Sequence, residues 1–423
     1  MRASELALKE RDYEKVITVA NYIPDTAAEK TRAYTNDLKG RAYLELENYQ
    51  DAESVYLDLL DTNIVRGNSR KEYEDRLALS IYRQAEAAKI NDQIPEALNH
   101  FTRISRAVRQ SELASTGLYD AIAITMESKQ WPTAISLINQ FQSFYPKHEY
   151  SADVTQKLSV AYLNSNQKGR AAQEFEKLSK FGDDIEIKRA ALWKAAELYE
   201  DKKSTDAAIK AYKEYVGRYH EPYESNIEGM YRLIQLYTTK RDSGSRQYWQ
   251  NEIIKTDQKA SKRSKTERTT FIASETTLGM ARDQHENFKR IRLIEPIATS
   301  LKNKKSTMQN AVKLFGQAST YGLEEITTEA TFAIGEIYKQ FSVDLLDSER
   351  PRNLNADELD QYEILLEDQA FPFEEKAIEF YETNLGRTQD DTYNTWIEKS
   401  LAELQALFPV RYNRKGKADA FID

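Results

Sequence analysis

Cysteine is absent from this 423-residue chain, which excludes disulfides, thiolate metal sites and cysteine nucleophiles together. Histidine is scarce. His100, His148, His220 and His285 lie far apart and form no His-x-x-x-His pair, so no metal is expected. The 14 glycines are dispersed, and none falls into the GxxxxGK or GxGxxG loops whose backbone N–H groups cradle phosphates. No run approaches the roughly 18 apolar residues of a membrane-spanning helix, and Met1-Arg2-Ala3-Ser4-Glu5 lacks the apolar core of a signal peptide. Sustained period-two alternation is missing too, so strands are not expected.

Catalysis has no candidate. Adjacent carboxylates occur at Asp183-Asp184, Glu367-Asp368 and Glu374-Glu375, but neighbouring residues on a helix point about 100° apart and do not converge on one atom. No Ser, His and Asp set stands out either. The expectation is a protein that is not an enzyme, carries no cofactor and takes no small-molecule substrate.

What the chain does have is a period. Gly40-x-x-Tyr43 followed by Tyr49, Ala52 and Tyr56 pairs a small residue with a ring four positions later. The offsets recur with Ala85, Ala88, Ala97 and Phe101; with Trp131, Ala134, Ile138 and Pro146; with Ser159, Tyr162, Ala171 and Phe175; and with Ala196, Tyr199, Ala208 and Tyr212. Ala134, Ala171 and Ala208 are spaced by 37, and one more step lands on Ser245 and Trp249. A single Ala-x-x-x-ring means nothing; five in register signal stacked helix pairs.

This pattern resembles the tetratricopeptide-repeat family, in the slightly long variety of bacterial envelope proteins. The resemblance implies an all-α, right-handed superhelical solenoid with a divergent helical C-terminal section, and a scaffold or adaptor that mediates protein-protein interaction. The domains read from the chain are a repeat array over 1–250 of about six and a half units, divergent helical hairpins over 251–345, a C-terminal cap or docking block over 346–410 and a flexible tail over 411–423. Tyr13, Val16 and Ala20 fit the second helix of an incomplete first unit, so the chain is expected to be cut from a longer array whose secretion signal lay upstream. In the divergent part Leu278-Gly279 and Gly335-x-x-Tyr338 look like first-helix fragments, with turns at Asp242-Ser243-Gly244, Asn303 and Tyr321-Gly322. Asn355 with Glu358 signals a helix start, and Pro372 is expected to kink or end that helix.

Residues 347–412 carry a second resemblance. Asp347-Ser348-Glu349-Arg350-Pro351, the run from Glu367 to Ala377, Asn384, Trp396, Ser400 and Pro409-x-Arg411-Tyr412 are similar to the C-terminal block of proteobacterial tetratricopeptide proteins of Tol/Ton-type and gliding-motility complexes. It implies periplasmic or cell-envelope work, with motor or outer-membrane complex components as partners.

Three surfaces are candidates for partner binding. Counting back from the small residues places Asp37, Tyr82, Tyr119, Gln156, Trp193 and Met230, and one turn on Arg41, Glu86 and Glu197, along the first helices that line a solenoid groove. Tyr82, Tyr119 and Trp193 either face that groove or pack against the next repeat. The Lys and Asn clamp with which chaperone-binding members hold a terminal carboxylate is missing at these offsets, which disfavours a co-chaperone. Second, Lys240 to Lys305 holds 16 Lys or Arg against 8 Asp or Glu in a chain of net charge −8. Its densest part is Lys255, Lys259, Lys262, Arg263, Lys265 and Arg268. A solvated basic helix, an acidic protein partner and, last, nucleic acid are the readings, since interleaved aromatics and recognition motifs are missing. The alternative function built on this segment is a cytoplasmic regulatory protein. Third, Phe371, Phe373 and Trp396 either plug the solenoid end or dock a partner helix.

Overall fold

The computed structural model describes residues 2–24, 26–61, 67–181, 183–352 and 354–413, and every regular element among them is helical. The fold is an all-α, tetratricopeptide-like stack of hairpins. The chain forms two compact units that divide between Ala211 and Tyr212, where the sequence period shows no break.

The first unit holds α1 (Arg2–Lys9), α2 (Tyr13–Asn21), α3 (Glu29–Glu45), α4 (Tyr49–Asp61), α5 (Asn68–Ile90), α6 (Ile94–Ala107), α7 (Glu112–Glu127), α8 (Trp131–Phe144), α9 (Ser151–Asn164), α10 (Lys168–Leu178) and α11 (Ile185–Asp201). Each packs mainly on its sequence neighbours, with first helices also touching across one hairpin, as α1 does α3 and α5 does α7. Helix α12 (Thr205–Arg218) begins before the division and ends after it.

Seven hairpins close with one backbone device. Arg11, Glu47, Asp92, Lys129, Asn166, Lys203 and Arg241, each two residues before a second helix, adopt a left-handed φ of 57° to 60°. The next residue then donates its N–H to the carbonyl five positions back, from Asp12 to Ala7 through to Asp242 to Tyr237, at 2.8 to 3.0 Å. This is the Schellman closure, which satisfies carbonyls that the end of the first helix orphans. None of the seven is glycine, so the turn signal is invisible to a search for Gly.

The small residues sit where the helices approach. Ala52, Ala97, Ala134, Ala171 and Ala208 are wholly buried, and so are Tyr56, Ile138 and Tyr212 four residues on, with Phe101 at 1% exposure. Burying each such ring or branched chain contributes roughly 1.5 to 3 kcal/mol. Phe175, from one of the five copies in register, and Ser245 are only half-buried.

The second unit continues with α13 (Tyr223–Thr239), α14 (Ser243–Lys259), α15 (Glu267–Arg290), α16 (Ile297–Ser319), α17 (Glu324–Leu346), α18 (Ala356–Gly386), α19 (Thr395–Leu407) and the short α20 (Pro409–Tyr412). Side chains cap several starts: Asp242 accepts from the Ser245 N–H, Thr266 from that of Thr269, and Asn355 exchanges hydrogen bonds with Glu358. Two further small-plus-ring copies appear that the period did not reveal, Ala311 with Phe315 on α16 and Ala377 with Tyr381 on α18.

Two turn expectations are corrected. Pro372 does not end its helix: it lies inside α18, which runs on past it. The roughly 3 kcal/mol that an interior proline costs is offset by packing on both sides: Ala370 and Ala377 are buried, and Phe373 meets Phe341 edge-on at 4.7 Å. Asn303 sits exposed inside α16, where a polar residue costs only a fraction of a kcal/mol, and the buried Lys304 beside it anchors the helix. Residues 411 and 412, expected to open a loose tail, are held in place. Arg411 bonds Glu382 at 2.9 Å and the Tyr412 hydroxyl donates to the same carboxylate, while 414–423 lie outside the described residues.

Candidate functional site: a cavity between α12, α13 and α14

The expected groove residues are engaged in a ladder between successive first helices. Asp37 on α3 is 2% exposed and held between Arg41, at 2.7 Å, and Arg76 of α5. The Tyr82 hydroxyl on α5 donates to Asp120 on α7 at 2.8 Å, and burial followed by that carboxylate pushes the phenol well above its usual range. Tyr119 on α7 donates to Asp153 on α9 at 2.6 Å; that bond is the first cause of its raised pKa, ahead of burial. Trp193 is satisfied within α11, its indole N–H donating to Glu197 at 2.8 Å, and Glu197 also meets Lys194 at 3.0 Å. Glu86 pairs with Arg83 at 2.8 Å, and Gln156 is exposed.

One groove assignment needs correction. Asp37 is a buried link between α3 and α5 because an unpaired carboxylate would not be stable there. Met230 stays a groove residue: it is 7% exposed and serves as floor.

This floor belongs to a concavity of the second unit, about 1000 Å³ between the end of α12, α13, α14 and residues 260–264. Val216, Met230, Tyr237 and Trp249 line its base, all nearly buried. Tyr248 stands exposed and edge-on to Trp249, with ring centres 5.1 Å apart. The rim carries both signs, with Lys213 and Lys259 against Glu221 and Glu252. Its shape is fixed by Asn226, a buried residue of α13 whose amide donates to the carbonyls of Val216 at 3.1 Å and Tyr219 at 2.8 Å. That bond pair ties the carbonyls at the end of α12 to α13. An apolar floor with a few polar groups at the edge accommodates an extended or helical peptide segment. Sequence reading had Trp249 only as the ring of a weak repeat, and the adjoining Tyr248, out of register and therefore outward, was the signal it left unused.

The basic segment is partly spent on the fold. Lys265 donates to the buried Asp257 at 2.8 Å, Arg268 forms a fork to Glu228 at 2.9 and 3.1 Å, and Lys255 meets Glu252 at 3.3 Å. Lys259, Lys262 and Arg263 remain exposed, and Lys259 reaches the cavity rim. Asp257 also accepts from the hydroxyls of Tyr223 at 2.9 Å and Tyr321 at 3.0 Å. Burial, then this carboxylate, pushes Tyr321 up to about 12.

The three C-terminal candidates separate. Phe373 packs inward on Phe341, and Trp396 lies 5.6 Å from Phe332 with Lys399 4.2 Å above its ring. Phe371 is 58% exposed.

Among the described residues no group of three His, Asp or Glu is placed to hold a metal ion, and no helix is long and apolar enough to cross a membrane. No family model and no curated protein matches the chain. Solved structures similar to it include the C-terminal part of a TPR repeat-containing protein from Cytophaga hutchinsonii, at 16% identity over 62% of this chain and 97% of that one, with a TM-score of 0.28. The apo form of RapI is 10% identical over 90% and 96%, with a TM-score of 0.29. The TPR domain of P58(IPK) is 14% identical over 90% and 99%, with a TM-score of 0.23. At such scores these likenesses carry no weight of their own, and the repeat assignment stands on the hairpins described above.

Proposed function

We propose that this protein is a non-enzymatic scaffold that holds a segment of a protein partner in the cavity between α12, α13 and α14. The observation that carries the reading is that cavity: its apolar floor of Met230, Tyr237 and Trp249 is bounded by a rim of mixed charge. Aromatic anchors in a recessed, mostly dry site are where binding energy concentrates. We place its work in the bacterial cell envelope, within a Tol/Ton-like transport or motility complex. Support for that part comes from the sequence block between Asp347 and Tyr412, whose Asn384 is fully buried and donates to Ser400 at 3.0 Å and to the Thr328 carbonyl at 2.9 Å.

The test is capture from envelope extracts with the intact chain and with Trp249→Ala/Tyr248→Ala as control. A partner retained by the first and lost by the second supports the cavity; equal retention defeats it. A gene product found only in the cytoplasm on fractionation removes the envelope assignment. The regulatory alternative rests on Lys259, Lys262 and Arg263, since the other three cations already have carboxylate partners. A nucleic-acid complex through them would weaken steeply with salt.

A further inference from the structure

Helix α18 buries one face and leaves the other without a neighbour among the described residues. Leu366, Ala370, Ala377 and Tyr381 are buried, and α17 is the main helix packed against it. On the opposite side Ile364, Leu365 and Phe371 are 60%, 53% and 58% exposed. Ile364, Asp368, Phe371 and Glu375 follow one another at intervals of three and four, so they form a single stripe.

The charge on this helix is one-sided. Between 356 and 382 there are ten Asp or Glu and one Lys. Lys376 is turned to Tyr338, 5.3 Å from its ring centre. Arg350 reaches Glu363 at 3.5 Å and Arg411 reaches Glu382 at 2.9 Å, near the two ends. Among the described residues no cation pairs with Asp360, Asp368, Glu375 or Glu379, all of which are exposed. Pro372 adds a separate feature. It has no N–H, so the backbone carbonyl of Asp368, on the same outward stripe, has no helical donor.

We propose that this face of α18 docks a basic amphipathic helix of a partner protein. Its apolar side chains cover Ile364, Leu365 and Phe371, its Lys or Arg side chains meet the unpaired carboxylates, and one of them donates to the Asp368 carbonyl. A carboxylate-rich stripe around three exposed apolar side chains repels an acidic segment and leaves a neutral one without charge partners, so charge complementarity selects the cationic partner. The surface is separate from the Trp249 cavity, and Trp249→Ala leaves it intact.

The experiment uses the full chain and a synthetic peptide of about 15 residues with Leu at helical spacing and Lys elsewhere, read by fluorescence anisotropy. Ile364→Ser/Phe371→Ser is expected to weaken binding about tenfold or more. Asp368→Lys/Glu375→Lys should weaken it similarly and flatten its salt dependence. All four positions are exposed, so thermal melts of both variants should match the parent chain, which keeps loss of binding apart from loss of folding. Unchanged affinity in both variants overturns the proposal, as does equal binding of a Lys/Gly peptide without leucines. Self-association that blocks the peptide and vanishes with Phe371→Ser would assign the face to a second copy instead. Peptide binding only after deletion of 414–423 would assign it to the chain's own end.

Discussion

Gly40 of α3 lies directly under the ring of Tyr56 of α4: a Cβ at position 40 would stand 2.7 Å from the Tyr56 Cζ. Gly335 and Tyr381 repeat the relationship in the second unit, at 2.6 Å from the Tyr381 Cε1. Both rings are wholly buried and have no room to retreat. Gly40→Ala and Gly335→Ala should therefore each cost about 1 to 3 kcal/mol by overpacking. Gly316, inside α16 with nothing within 4 Å, is the control. Gly316→Ala should gain up to about 1 kcal/mol from helix propensity. Chemical denaturation of the three variants checks the contrast, and equal effects would mean the rings do not set the helix approach.

The left-handed turn residues carry strain that glycine lacks. Lys129 and Lys203 are exposed, with φ of 57° and 58°. Lys129→Gly and Lys203→Gly should each stabilise by about 0.5 to 1 kcal/mol. Asn166→Gly should gain less, because Asn tolerates this conformation better than Lys. A melting temperature lowered by all three would contradict the Schellman closure.

His285 makes the second unit sensitive to acid. It is 8% exposed between Phe288 and Phe315, and burial, reinforced by Lys289 and opposed by Glu286, lowers its pKa to about 4. The unfolded chain protonates it near 6.5. Folding thus favours the neutral ring, so its contribution is complete above about pH 6.5 and is lost as pH falls towards 4, at most about 3 kcal/mol. Carboxylates titrate in the same window, so the measurement is the stability difference between the parent chain and His285→Leu from pH 7 to 4. That difference should shift in favour of the variant on acidification; a difference flat with pH would refute the buried neutral histidine.

Asp257 gathers Tyr223, Tyr321 and Lys265 around one buried carboxylate, joining α13 and α14 to the turn after α16. Asp257→Leu strands those donors and should cost about 3 kcal/mol, whereas Asp257→Asn, which keeps an acceptor, should cost less. Urea midpoints of the two variants decide whether the node acts through its charge and hydrogen bonds or through shape alone.

The repeat was legible because Ala52, Ala134, Ala171 and Ala208 must be small to let helices meet, a constraint that acts at one position whatever surrounds it. Beyond residue 250 the same constraint operates at Ala311 and Ala377, but the loop and the long start of α18 set Gly335 and Ala377 42 positions apart where Gly40 and Ala52 are 12 apart. Period reading fails when an insertion changes the interval without changing the contact.

The linear pattern of small, ring and turn positions by itself determined that the chain is a stack of helix pairs, because each such choice depends on contacts within one hairpin. Only the tertiary structure decided which polar side chains are spent: Asp37, Tyr82 and Lys265 find their partners on other helices, 39, 38 and 8 residues away. It also decided that Phe373 turns inward while Phe371 stays in solvent, and that α18 runs through Pro372. The reason is physical: exposure and pairing depend on what the neighbouring elements bring to a point in space, which no local spacing encodes.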